Sequence, residues 1–140
     1  MKKLLTFSLF LAFFAGIEFS AKSQADSIVN LCAKYLKAPY ISDGQEYKAL
    51  LNGDEVAEFK ATFYGGTIYR ISACSGTTEG NLVFSIYDQN RTLLFTNKDY
   101  KNSPYWDFKF TATMDCIIEA QLDVNGPTSG FAILLIGFKE

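Results

Sequence analysis

The chain has 140 residues, 13 basic and 15 acidic side chains and a formal charge of −2. That length gives one ordinary domain and leaves no room for a second with its own core. There is no histidine, which excludes Ser-His-Asp and Cys-His nucleophile systems and every histidine-ligated metal; the mild acidity likewise offers nucleic acid no clustered basic footprint.

Lys2 and Lys3 precede an apolar run from Leu4 to Ile17, broken by Thr6, Ser8 and Gly16. The run is about 14 residues long, short of the ~20 that a membrane-spanning helix needs. Residues 1–25 therefore read as a secretory signal peptide, with small residues Ser23 and Ala25 placed for cleavage after Ala25. Ala21-Lys22-Ser23 is a second cleavage candidate, and an uncleaved anchor is the alternative. Cys32 follows Val29-Asn30-Leu31, a context that argues against lipid attachment. Cleavage after Ala25 removes Lys2, Lys3 and Lys22 but only one acid, Glu18, and leaves a more acidic secreted or periplasmic chain without a membrane span.

Residues 26–40 read as a helix and linker. Asp26-Ser27 suits an N-cap, and Ile28, Leu31, Cys32, Tyr35 and Leu36 recur at helical spacing before Pro39 ends the pattern. From residue 41 to 140 the period changes to two. Runs at 46–51 and 55–64 flank Asn52-Gly53, which predicts a hairpin. In the second run Ala57, Phe59, Ala61 and Phe63 share a face. In the run 67–74, Tyr69, Ile71 and Ala73 alternate with Arg70 and Ser72. Runs at 82–87 and 92–96 flank Asp88-Gln89-Asn90-Arg91, a second predicted hairpin. A polar stretch, 97–104, leads to 105–110, where Trp106, Phe108 and Phe110 point one way and Asp107 and Lys109 the other. Cys116, Ile118, Ala120 and Leu122 form the inward face of the next run, and Asn125-Gly126-Pro127 turns the chain into 131–138.

About eight strands with regular turn signals predict a mainly β fold, an antiparallel, jelly-roll-like sandwich. The last strand, Phe131-Ala132-Ile133-Leu134-Leu135-Ile136, has no polar face, so both of its sides need cover. The short N-terminal helix is the spare apolar element, and it is expected to pack on the outer face of that strand's sheet. Cys32 lies on the packing face of the helix, and Cys74 shares phase with outward Arg70 and Ser72. Cys32–Cys74 is thus the preferred disulfide, with Cys116 a buried free thiol; a bulge near Cys74 would favour Cys74–Cys116 instead.

Tyr69-Arg70-Ile71-Ser72-Ala73, Gly80-Asn81-Leu82-Val83-Phe84-Ser85-Ile86-Tyr87-Asp88 and Leu93-Leu94 form a recognisable series. With Trp106 to Phe110, Cys116 to Ala120 and Ser129 to Leu134, it resembles the pre-peptidase C-terminal domain of secreted bacterial proteases and the related GOLD-type β-sandwich. The resemblance implies a sandwich used for binding or targeting, without catalysis of its own. Asn81 stands where that family often has an acid before the hairpin strand, so a calcium site is not carried over.

Tyr100, Asn102, Tyr105 and Trp106 are the candidate ligand-binding residues, because flat aromatics beside amides suit a sugar ring. The competing reading puts Trp106 in the core with Phe108 and Phe110. Asp88, Asn90 and Asp99 carry oxygen ligands of the kind calcium uses, but Asp88-Gln89-Asn90 reads rather as a turn whose side chains bond their own backbone. Asp54, Glu55 and Glu58 read as a solvated strand edge that discourages aggregation. No nucleophile elbow surrounds Ser75-Gly76, and Cys74 and Cys116 lack a histidine base. The expectation is a non-catalytic binding or accessory module needing no cofactor, for a protein or a cell-envelope glycan. The alternative is an envelope structural or assembly component acting through a sheet edge or oligomer contact.

Overall fold

The computed structural model describes residues 23–76 and 78–140; the apolar run and most of the expected signal peptide lie outside them. Eight strands follow one helix: β1 (Ile41–Asn52), β2 (Val56–Phe63), β3 (Ile68–Cys74), β4 (Leu82–Asp88), β5 (Leu93–Thr96), β6 (Tyr105–Lys109), β7 (Met114–Leu122) and β8 (Ser129–Lys139). They form two antiparallel four-stranded sheets, β1-β8-β3-β6 and β2-β7-β4-β5. Neighbours far apart in sequence, with every connection except β4–β5 crossing between the layers, give the eight-stranded jelly roll.

The alternation of period two sets the core. Ile71, Phe84, Ile118, Ala120, Ala132 and Leu134 meet between the sheets with no exposed surface, and Phe63 and Ile86 are nearly as deep. Trp106, Phe108 and Phe110 pack partly buried against them. The second hairpin forms as read, β4 against β5.

The first does not. β1 pairs with β8 and β2 with β7, so Asn52-Gly53 connects the two sheets rather than two neighbouring strands. Gly53 takes φ +60°, as the turn requires, but its N–H bonds Thr128 O at 2.7 Å. A turn signal fixes where the chain reverses; it does not choose the strand that supplies the ladder hydrogen bonds.

Helix α1 comprises residues 23–33 among those described. It thus begins earlier than the sequence suggests, and Asp26-Ser27 is not its cap: Ser27 Oγ donates back to Ser23 O at 3.0 Å from within the helix. The helix tightens at its end through i−3 bonds, Tyr35 N to Cys32 O and Leu36 N to Ala33 O. Ala25, Ile28 and Cys32 form its buried stripe. Leu31, expected on that stripe, is 39% exposed, because the buried face is centred on Ile28 and Cys32 and Leu31 lies at its margin.

The helix lies on the outer face of the β1-β8-β3-β6 sheet. Ile28 and Cys32 meet Ile133 and Leu135 there, while Ala132, Leu134 and Ile136 enter the main core from the other side of β8. The uniformly apolar last strand is covered on both faces, as its sequence requires. Gly137 leaves room for Leu36, whose Cδ2 would stand 3.0 Å from any added Cβ. Cys32 and Cys74 form the disulfide, with Cα atoms 5.7 Å apart, and Cys116 is a buried free thiol. Ser72, buried beneath the helix, donates to Cys32 O at 2.9 Å.

Candidate functional site

The two sheets part along the side formed by their edge strands β1 and β2. A cleft of ≈ 540 Å³ opens there, a size typical of ligand and side-chain pockets. Its floor is apolar: Phe63, Tyr69 and Ile136, all buried, with half-buried Phe138. Asp43, Gln45 and Tyr47 line it from β1; Lys60, Thr62 and Tyr64 line it from the β2 side, with Glu140 nearby.

A bulge in β1 shapes the opening. Asp43, Gly44 and Gln45 together oppose Ile136 alone in the β8 ladder, which resumes at Glu46–Leu135. Gly44 takes φ +82°, the left-handed conformation such bulges demand. Short side chains on either side complete the turn: Ser42 Oγ accepts from Gly44 N at 3.1 Å and Asp43 Oδ1 from Gln45 N at 2.9 Å. Sequence reading missed this bulge, although Ser42-Asp43-Gly44 carries its signal.

The walls are aromatic. Phe63 stacks on Phe110 at 4.6 Å and meets Tyr69 edge-on at 4.9 Å. Tyr69 Oη accepts the Tyr64 N–H at 2.9 Å, holding the chain where it leaves β2. Tyr47 touches Phe59 edge-to-face at 5.6 Å, and Tyr64 is left 61% exposed. Partial burial raises the Asp43 carboxyl above its usual range, opposed by the Gln45 N–H. Burial, and then the Asp43 charge, raises the Tyr47 phenol as well.

The candidate residues at 100–106 are not brought into one surface. Tyr100 and Trp106 pack together at 4.2 Å, with Phe95 5.7 and 5.4 Å from them, closing the opposite side of the sandwich between β5 and β6. Trp106 is half buried there, as the inward-facing reading expects. Tyr105 points to the other face of β6, stacks on Tyr35 at 5.3 Å and lies under Arg70 at 4.6 Å. Asn102 spends its amide on Gly80 O at 3.1 Å. The period of two, applied to adjacent residues, separates Tyr105 from Trp106. Asp88 Oδ1 accepts from Asn90 N and Thr92 N, both at 2.9 Å, and so closes the β4–β5 turn. Asp99 belongs to a single 3-10 turn, Asn97–Tyr100. Among the described residues no group of three His, Cys, Asp or Glu side chains is placed to hold a metal ion.

Beside Tyr105 lies an arrangement that the sequence reading left as an outward arginine. The Arg70 guanidinium sits over the rings of Tyr40 and Tyr105, 4.2 and 4.6 Å from their centroids, pairs with Asp107 and donates to Tyr35 O at 3.0 Å. It joins the helix end to the sheet. On the outer face of the other sheet, Arg91 reaches Glu58 at 2.9 Å and Glu119 at 2.7 Å.

No protein-family model and no curated protein matches this chain. Among solved structures it is similar to Aeromonas hydrophila PliG, a periplasmic lysozyme inhibitor of g-type lysozyme. The TM-score is 0.53 at 11% identity, over 74% of this chain and 90% of that one. At this identity the likeness is one of fold. What carries over from the pre-peptidase C-terminal and GOLD-type resemblance is the β-sandwich architecture.

Proposed function

We propose that this chain is an extracytoplasmic, non-catalytic module that binds a protein partner through the opening between β1 and β2. The observation that carries the reading is the cleft itself: an apolar floor between two strand edges whose outer backbone groups have no ladder partner. Exposed edges are templates for another chain, and an apolar pocket beside them supplies the burial that main-chain bonds lack. Supporting it, the same fold in the periplasmic inhibitor PliG serves a protein partner. The disulfide also suits an oxidising compartment, as does the signal-like N-terminus. The glycan version has less to stand on, because Tyr100 and Tyr105 face opposite ways.

A second reading draws on β1, a 12-residue edge strand: an assembly component in which that edge pairs with another copy. Both are tested by a photo-crosslinking benzoyl-phenylalanine at Tyr64 and, as a control, at Tyr87 on β4, two strands away from β2 in the same sheet. A discrete heterologous protein captured from position 64 alone supports the protein-binding reading. A self-crosslink with a dimeric mass in solution supports assembly. No crosslink, with signal on an envelope-glycan array, would replace both.

A further inference from the structure

The cleft contains most of an arrangement that the protein completes elsewhere. On the helix-covered sheet, Arg70 lies against the rings of Tyr40 and Tyr105 while Asp107 takes its guanidinium edge. Aromatic faces and a carboxylate together make a site for a cation. Tyr47, Tyr64 and Asp43 line the cleft with the same chemistry and no guanidinium. Asp43 accepts the Gln45 N–H, and none of the five ion pairs among the described residues includes it.

The two lips differ as templates for another strand. The bulge leaves Asp43, Gly44 and Gln45 out of regular register, which spoils β1 beside the cleft. β2 runs unbroken from Val56–Gln121 to Phe63–Met114 against β7, and its other side is free. A strand added there would share the inward phase of Ala57, Phe59, Ala61 and Phe63, so its alternate side chains would enter the cleft. Ala57 and Ala61 are small enough to leave space beside them. Lys60, also on this lip, disfavours a run of positive charges and limits the match to isolated ones.

Building on the protein-binding reading, we propose that the occupant is an extended segment of the partner protein that adds a strand to β2 and sets an arginine or lysine against Asp43. Its neighbours of the same phase are apolar and rest on Phe63 and Ile136.

The test is selection of a random seven-residue peptide display library on the immobilised full chain. The expected winners alternate, with apolar residues and one arginine or lysine in the same phase. Asp43→Asn keeps an acceptor for the Gln45 N–H and so preserves the bulge, which circular dichroism and thermal melting verify. This variant should weaken a winning peptide at least tenfold, and N-methylation of the peptide backbone should abolish its binding. Winners without a basic residue, indifference to Asp43→Asn, tolerance of N-methylation, or no winners at all would each overturn the proposal. Crosslinking from position 64 separates this failure from that of the broader reading. A protein captured equally by the Asp43→Asn variant leaves the protein-binding module standing and removes the basic strand.

Discussion

Arg70 and Asp107 face each other across the β3–β6 ladder and form a two-pronged ion pair, Nε to Oδ1 at 2.7 Å and Nη2 to Oδ2 at 2.9 Å. The Arg70 hydrogen bonds hold the Asp107 carboxyl below its ordinary range, against a smaller opposing effect of burial. A carboxyl depressed in the folded state contributes stability that is present above its unfolded pKa. That contribution is lost as pH falls through the folded value, so urea midpoints should drop as the pH is taken below about 4. Arg70→Met should blunt that part of the drop and return Asp107 toward ordinary titration, followed by carboxyl carbon NMR. The same change frees Tyr35 O, and the folded state should lose on the order of 1–3 kcal/mol at neutral pH. Arg70→Lys should rescue it only in part, since an ammonium cannot make both prongs.

Asn97 is fully buried and makes three hydrogen bonds. It accepts from Phe84 N at 2.9 Å and donates to Leu82 O and Ser103 O, each at 3.0 Å. It ties β4 to the 3-10 turn and the loop before β6. Asn97→Ala strands one buried donor and removes a bond from each of two carbonyls, so denaturation should show a loss of about 3 kcal/mol. A stability change under about 0.5 kcal/mol, the range of ordinary surface substitutions, would mean that water replaces the amide.

The Cys32–Cys74 bridge closes a loop with a sequence separation of 42. In the chain-entropy picture a Cys32→Ser, Cys74→Ser double variant should be less stable by about 3–4 kcal/mol. Cys116 should resist iodoacetamide in the folded protein, since burial raises its thiol and the thiolate is the reactive form. Mass spectrometry should find one alkylated cysteine only after denaturation without reductant, and three when reductant is present.

Glu58 and Glu119 are directly opposed in the β2–β7 register, and Arg91 bridges them. Like charges so placed repel. Arg91→Gln should lower the melting temperature at low ionic strength, and the difference from the parent should narrow at about 1 M salt, where the Debye length is roughly 3 Å. A salt-independent difference would assign Arg91 to packing instead.

Much of this architecture is legible in the residues. Alternation at 67–74 and 116–122 places core side chains, and the absence of a polar face on Phe131 to Ile136 locates the helix and, through it, the disulfide. Asn52-Gly53 shows the limit. Its turn is real, but the layer that the next strand joins depends on β7 and β8, far along the chain. The site is less legible for the same reason. Tyr47 and Tyr64 become neighbours of one cleft only after two different sheets have formed. Asn97 and Arg70 look like loop and surface polarity until partners at 82–84, 35 and 107 are folded against them.

The pairing of β8 with β1 has a consequence for synthesis. Ladder contacts run from Ile41–Phe138 to Asn52–Ser129, and helix α1 rests on Ile133 and Leu135 of the same strand. Residues 41–52 thus have no ladder partner while a ribosome is still making the middle of the chain, although the helix can already meet Ser72 and Cys74 of β3. Closure waits for position 139, and long-range closure of this kind is slow. The β1 edge therefore stays unpaired until the last strand arrives, a slow step during which it is open to wrong partners.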